Sequence, residues 1–243
     1  MSGARALRVG PGAARALRAG GAGRVEIALR GGGYVSLGRD RWVLLTGPRA
    51  RHGPLSLHVA SLRPLHAGAP ARVVGAGLEV GDQRIRLAGM RVVRHRVPPR
   101  AGPPQSLPAV PVPAPEPGLR AGLDALERGD LRTAVELLAG RGEGLTPAGD
   151  DLLAGYAGWK ASAGTPVRVA RAAASRTTPL SVAYLRCAER GELPEAAEAL
   201  IAALRAGDAS AVERGAARLA CWGATSGRAI LLGIAAGAGA ARR

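Results

Sequence analysis

The chain of 243 residues contains no phenylalanine and only three tryptophans, three tyrosines and two methionines, so its 47% hydrophobic content must come from Ala, Leu and Val. So few aromatics leave little for nucleic-acid bases to stack on. No zinc-finger spacing or RNA-recognition signature accompanies the basic residues either, which argues against a nucleic-acid partner. The two cysteines, Cys187 and Cys221, have neither a CxxC partner nor a histidine at metal spacing. They exclude a disulfide framework and read as small buried hydrophobes. The histidines His52, His58, His66 and His95 all fall in the first hundred residues with no zinc-site spacing between them, so surface or strand-edge positions are expected for most of them. Neither a metal site nor a cofactor is expected. No stretch reaches about 18 strongly apolar residues, and the tail from Ile230 to Ala241 is too rich in Gly and Ala to span a bilayer. The first residues carry Arg5, Arg8, Arg15 and Arg18 but no apolar signal core. A cytoplasmic protein with no membrane association is the expectation.

Lysine is scarce as well, one against 33 arginines, and the positive charge is uneven. Residues 1–100 hold 18 Arg against 4 acidic residues, whereas residues 101–243 hold 16 basic against 14 acidic. A surplus of this kind attracts nucleic acid, an acidic membrane surface, an acidic partner protein or small anionic substrates, and charge alone does not choose between them. The loop Arg49, Arg51, His52, Gly53, Pro54 would make an anion-facing rim, or simply a solvated loop.

From Arg24 the hydrophobic period is two: Val25, Ile27 and Leu29 alternate with polar or small residues, and Gly31–Gly33 turn the chain into Tyr34–Leu37 as a hairpin. Strand-like runs follow at 42–46, 55–59, 71–75, 78–80, 84–88 and 90–96. Residues 1–23 show only a short helical piece around 13–19. Nine prolines in residues 97–118 read as a semi-rigid extended linker. Beyond it every pattern is helical, and a helix, Gly-Asp, helix layout occurs twice, at Gly129-Asp130 and Gly207-Asp208. The expected fold class is α+β. An N-terminal antiparallel, barrel-like β domain (1–97) is followed by a linker (98–117) and an all-helical domain (118–243).

Three glycine-rich helix starts carry the functional signal. In the first, Gly140, Gly142 and Gly144 loosen a loop, Thr146 is placed as N-cap and Pro147 as the first helical residue; Gly149, Asp150 and Asp151 follow. In the second, Thr177 and Thr178 precede Pro179 and Ser181. In the third, Thr225, Ser226 and Gly227 follow Gly223. Each is either an ordinary cap or an anion site, because free N–H groups and the positive end of a helix favour phosphate or carboxylate. Adjacent helical positions lie roughly 100° apart, so Asp150 and Asp151 cannot both face outward. A buried carboxylate must be hydrogen-bonded, paired with an arginine, metal-bound or shifted in pKa.

The run Gly144-Leu145-Thr146-Pro147-Ala148-Gly149-Asp150-Asp151-Leu152-Leu153-Ala154-Gly155, with the segments 177–181 and 223–227 and the upstream Gly53-Pro54-Leu55-Ser56-Leu57, resembles the AllH family, named for a subunit of oxamate carbamoyltransferase. Ala148 stands where that family usually has serine. The resemblance implies a part in carbamoyl transfer between carbamoyl phosphate and oxamate, giving phosphate and oxalurate, in purine nitrogen catabolism. Asp150 or Asp151 would be the base or would orient an arginine. Gly142, Gly144, Thr146, Gly149, Thr177, Thr178, Ser181, Thr225, Ser226 and Gly227 would bind a small anionic substrate, and partner subunits would complete a hetero-oligomer. The alternative is a non-catalytic assembly or regulatory protein whose basic domain docks an acidic partner and whose glycines only let helices pack.

Overall fold

A computed structural model describes residues 4–38, 40–93, 107–239 and 241–242. The chain divides into two compact units, residues 1–94 and 95–243.

The first unit is a closed eight-stranded barrel. Its elements are β1 (Ala4–Val9), α1 (Pro11–Ala19), β2 (Ala22–Leu29), β3 (Gly32–Ser36), β4 (Trp42–Thr46), β5 (Ser56–Val59), β6 (Pro70–Val74), β7 (Gly77–Val80), β8 (Gln83–Arg86) and β9 (Arg91–Val92). The strand order is β5-β4-β3-β2-β6-β7-β8-β1, and β1 closes the ring by pairing antiparallel with β5. The pairings β4–β5 and β1–β8 are parallel, a departure from the purely antiparallel sheet expected from the short loops. The strand β1 lies in the part of the sequence with no strand pattern. Arg5 and Arg8 lie three positions apart there, which breaks a period of two, and the strand is held by partners on both edges rather than by its own period. Val9, Val25, Val35, Leu37, Val43, Leu45, Leu57, Val59, Leu78 and Ile85 are fully buried and fill the interior without any phenylalanine.

Three expectations change in this unit. A register shift between Val25 and Ile27 breaks the alternation of β2, so Leu29 ends 43% exposed rather than inward. His52 and His58 are buried at 2% and 0% exposure, with Nδ1 of the first 3.1 Å from Nε2 of the second, so neither lies at the surface. The loop before β5 also serves structure. Pro54 O accepts from Ala13 N–H in the first turn of α1, Ser56 O from Gly10 N–H, and Ser56 Oγ from Gly53 N–H. A Cβ on Gly10 would sit 2.3 Å from Gly53 O, so glycine is required where this loop crosses the start of α1.

The second unit is helical. The segment from 107 opens with β10 (Val110–Pro111), which pairs in parallel with β11 (Ala241–Arg242), and a 3-10 turn at Pro117–Leu119. Val110 is wholly buried in the helical core, with Leu107 and Val112 packed beside it. Residues 98–106 of the expected linker lie outside the described residues. Then come α2 (Arg120–Glu127), α3 (Leu131–Leu138), α4 (Ala148–Ser162), α5 (Ala170–Ala173), α6 (Pro179–Ala188), α7 (Glu195–Ala206), α8 (Ala209–Ala220) and α9 (Ser226–Ala238). No described helix is long and apolar enough to cross a membrane.

The helix α4 is the core of the unit, buried on every side from Ala148 to Trp159. Its closest neighbour is α9, and the contact is glycine on backbone in both directions. A Cβ on Gly155 would lie 2.1 Å from Ile230 O, and one on Gly233 would lie 2.0 Å from Leu152 O. The chain's shortage of large side chains thus becomes an interaxial approach that only glycine permits. Of the two cysteines, Cys187 is buried in α6 whereas Cys221 is exposed just beyond α8, contrary to the reading of both as core.

The two Gly-Asp junctions share one hydrogen-bond pattern. Gly129 N–H donates to Leu126 O and Asp130 N–H to Ala125 O; Gly207 N–H donates to Leu204 O and Asp208 N–H to Ala203 O. Each glycine takes positive φ, and each aspartate caps the next helix, Asp130 through Thr133 N–H and Asp208 through Ala211 N–H. Asp208→Ala is expected to cost about 1 kcal/mol. The check is a urea midpoint, and an unchanged midpoint would mean that the cap is not formed.

Candidate functional site

The loop from Ala139 to Pro147 doubles back over the start of α4. The conformations at Gly140, Gly142 and Gly144 all have positive φ, of 73°, 107° and 97°. A Cβ on Gly140 would meet Arg176 O at 2.0 Å, so the segment 176–178 lies directly against the loop. Pro147, not Thr146, occupies the N-cap position of α4, and Thr146 makes no cap hydrogen bond. A proline cannot cap through its side chain. The chain instead satisfies Gly149 N–H with Arg141 O at 2.8 Å, which frees the Thr146 hydroxyl for another partner.

That partner is Asp151. Thr146 Oγ1 donates to Asp151 Oδ2 at 3.3 Å and lies 3.5 Å from Ser226 Oγ at the start of α9. The Ser226 hydroxyl also hydrogen-bonds to the Asp151 carboxyl, so two hydroxyls serve one carboxyl. The Thr146 and half-buried Ser226 hydroxyls thus join the buried carboxyl to the edge of the cluster. Burial pushes the Asp151 carboxyl from its ordinary 3.8 up to about 7; the Ser226 and Thr146 hydroxyls pull it partway down, and neighbouring Asp150 adds to the rise.

Asp150 faces a different environment, as the angular divergence of adjacent helical positions requires. Its Oδ1 accepts from Gly140 N–H at 2.9 Å and its Oδ2 accepts from the Thr177 hydroxyl. One carboxylate therefore ties the glycine loop to the segment before α6. Neither aspartate has an arginine partner among the described residues, which removes the structural ion pair considered from sequence. Asp150→Asn would turn an amide N–H₂ toward one of two donors. Its expected cost is about 1–3 kcal/mol, read as a lower thermal midpoint. An unchanged midpoint would mean that Asp150 does not tie the two segments.

The second start behaves as its sequence suggests. Thr178 caps α6 by accepting from Ser181 N–H at 3.1 Å, with Pro179 next, and its hydroxyl donates to Leu145 O at 3.3 Å. Ser181 Oγ is buried and has no hydrogen-bond partner among the described residues. The third start does not. Thr225 holds the N-cap position of α9 but makes no cap hydrogen bond and is exposed. Gly227 is where α9 passes the end of α8: its N–H donates to Trp222 O, and a Cβ there would lie 1.9 Å from Leu219 O. One hydroxyl-capped start thus exists where three were expected.

Hydrogen bonds connect Gly140, Thr146, Asp150, Asp151, Thr177, Thr178 and Ser226 across all three motif segments. Thr225 stands outside this network, and Gly142 and Gly144 contribute loop conformation. The amides of Gly149, Ser181 and Gly227 are occupied from within the chain, which leaves fewer helix-start donors for an anion than sequence suggested. What the sequence reading passed over is cationic. Arg141, Arg176 and Arg228, one on each motif segment, are exposed and have no ion-pair partner among the described residues. In a chain with 33 arginines, the residue type alone could not single them out. No group of three or more potential metal ligands occurs among the described residues.

No curated protein and no solved structure matches the chain. Residues 138–238, which run from the end of α3 to the end of α9 and hold the whole hydrogen-bonded cluster, match the family model described as oxamate carbamoyltransferase subunit AllH, and over this region the chain is similar to that family.

Proposed function

We propose that the chain is a subunit of a carbamoyltransferase acting on small anions of the oxamate and oxalurate kind, in purine nitrogen catabolism, and that Asp151 moves the proton. The observation that carries this reading is the Asp151 carboxyl. It is buried, raised to about 7, without a cationic partner, and joined by Thr146 and Ser226 to the half-buried edge of the cluster. A group with a pKa near the working pH exchanges protons efficiently in both directions. In the transfer, the oxamate nitrogen forms a bond to the carbamoyl carbon, the bond from that carbon to the phosphate oxygen breaks, and phosphate leaves. The proton lost by the nitrogen passes to Asp151 through the half-buried Ser226 hydroxyl, which bonds the carboxyl. Arg141, Arg176 and Arg228 supply positive charge for the carboxylate and phosphate groups, and Ser181 Oγ offers a further hydroxyl.

The test is phosphate release from carbamoyl phosphate and oxamate by the enzyme assembled with its partner subunits, against the same subunits without this chain. Loss of turnover on omission, restored by adding the chain back, is expected. Equal phosphate release without it would overturn the proposal. The second reading, a non-catalytic assembly protein, draws support from the helix-start amides already being occupied. It predicts that a chain carrying Asp151→Asn restores full turnover.

A further inference from the structure

We propose that the outer face of β6, β7, β8 and β1 is a docking surface for the acidic face of a protein partner. Strand alternation builds this surface. In β8 the side chains of Gln83 and Ile85 are buried, which turns Arg84 and Arg86 outward. Pairing registers then set arginines side by side. Arg72 on β6 is opposite Glu79 on β7, Glu79 is opposite Arg84, and Arg86 is opposite Arg5 on β1. Arg91 on β9 extends the file, next to the same strand β1. All five arginines are exposed.

Glu79 is the acid within this file, and it is already shared. Arg72 Nε lies 2.7 Å and Arg84 Nη1 3.8 Å from its two carboxylate oxygens. Arg5, Arg86 and Arg91 have no carboxylate partner among the described residues. Like charges directly opposite on adjacent strands repel, so the Arg5–Arg86 register costs the isolated barrel stability. Carboxylates delivered by a partner reverse that cost. Gly77, opposite Arg86, leaves room beside the file, and Arg84 Nε comes within 3.4 Å of where a Cβ of Gly77 would be. The Arg84 guanidinium therefore lies over Gly77, beside Glu79.

The face lacks the features by which single-stranded nucleic acid and lipid bilayers are held. The unit's two aromatics, Tyr34 and Trp42, belong to β3 and β4, away from these strands, so nothing on the file stacks a base. Val74 is the large apolar residue exposed on these strands, which is too little for insertion into lipid.

The experiment uses the full chain with Arg5→Glu and Arg86→Glu together, and a control of equal charge change on α8, Arg214→Glu with Arg218→Glu. Circular dichroism establishes that each folds. Fluorescence anisotropy with a labelled oligo-glutamate peptide reads binding at several salt concentrations. The barrel variant is expected to bind about tenfold more weakly and with a flatter salt dependence, while the α8 variant stays near the parent chain. Equal weakening in both variants would mean generic charge attraction and overturn the proposal. So would a larger loss for a duplex DNA probe, or for phosphatidylserine vesicles, than for the peptide. None of these readings involves turnover, so the outcome is independent of the carbamoyltransferase proposal.

Discussion

Asp151→Asn is expected to make the protein more stable at pH 8 and the assembled enzyme slower by about two orders of magnitude or more. The stability half follows from linkage. The carboxyl ionises near its ordinary 3.8 in the unfolded chain and near 7 in the folded one. Between those values the folded state holds one proton more than the unfolded state, so this group drains stability as pH rises from 4 to 7, and above 7 the whole loss is in place. The asparagine carries no such penalty, and its carbonyl oxygen still accepts from Thr146. The difference in stability should therefore be near zero at pH 4 and grow to at most about 4 kcal/mol above pH 7. Glu198, pushed up to about 8 by burial, contributes to the pH profile of both proteins, so the difference between them isolates Asp151. A midpoint that falls at pH 8 would mean that the carboxylate is ionised and paired in the fold. Full turnover by the stabilised variant would end the proton-transfer role, whatever the stability result.

The second large effect belongs to the crossing of α4 and α9. Gly155→Ala and Gly233→Ala should each destabilise the helical unit by about 3 kcal/mol or more. The new methyl would stand 2.1 or 2.0 Å from a backbone carbonyl oxygen that cannot swing aside as a flexible side chain can. Alanine's better helix propensity, about 1 kcal/mol, offsets only part of this. Gly118→Ala is the control, since a Cβ there would meet nothing nearer than Arg141 Cδ at 4.0 Å. Denaturant titration should show a large drop in midpoint for the first two and almost none for the third. Either core variant within about 1 kcal/mol of the parent would mean that the two helices do not meet by glycine. Because the Thr146 and Asp151 end of α4 is held to the Ser226 end of α9, the same variants should also disturb the cluster.

Much of the barrel was legible because its strands keep a period of two and its turns carry glycine. The strand β4 was read with the same ends that the structure shows, and β5 to β8 within about two residues. The strand β1 was not legible, because its pairing with β5 and β8 comes from positions about 50 or more residues away, and nothing within its six residues announces it. The burial of His52 and His58 was missed for a related reason. Each polar ring finds its partner in the other, and a sequence shows residue types but not whether they meet. At the helix starts, the Thr178 cap follows from a local pattern and was read correctly. Thr146 has the same pattern of threonine followed by proline, yet the loop folds over α4 and delivers Arg141 O to Gly149 instead.

The fold class, the place of the helix starts and the necessity that Asp150 and Asp151 diverge are local properties, because hydrophobic period, turn residues and helical angle belong to neighbouring positions. What the divergence means depends on tertiary contacts. Asp150 meets an amide and a hydroxyl from two loops, and Asp151 meets two hydroxyls in a place where burial lifts its carboxyl to about 7. Burial and hydrogen-bond partners are set by segments as far as 80 positions apart in the chain, as Thr146 and Ser226 are, and no local pattern encodes which of two adjacent aspartates receives them.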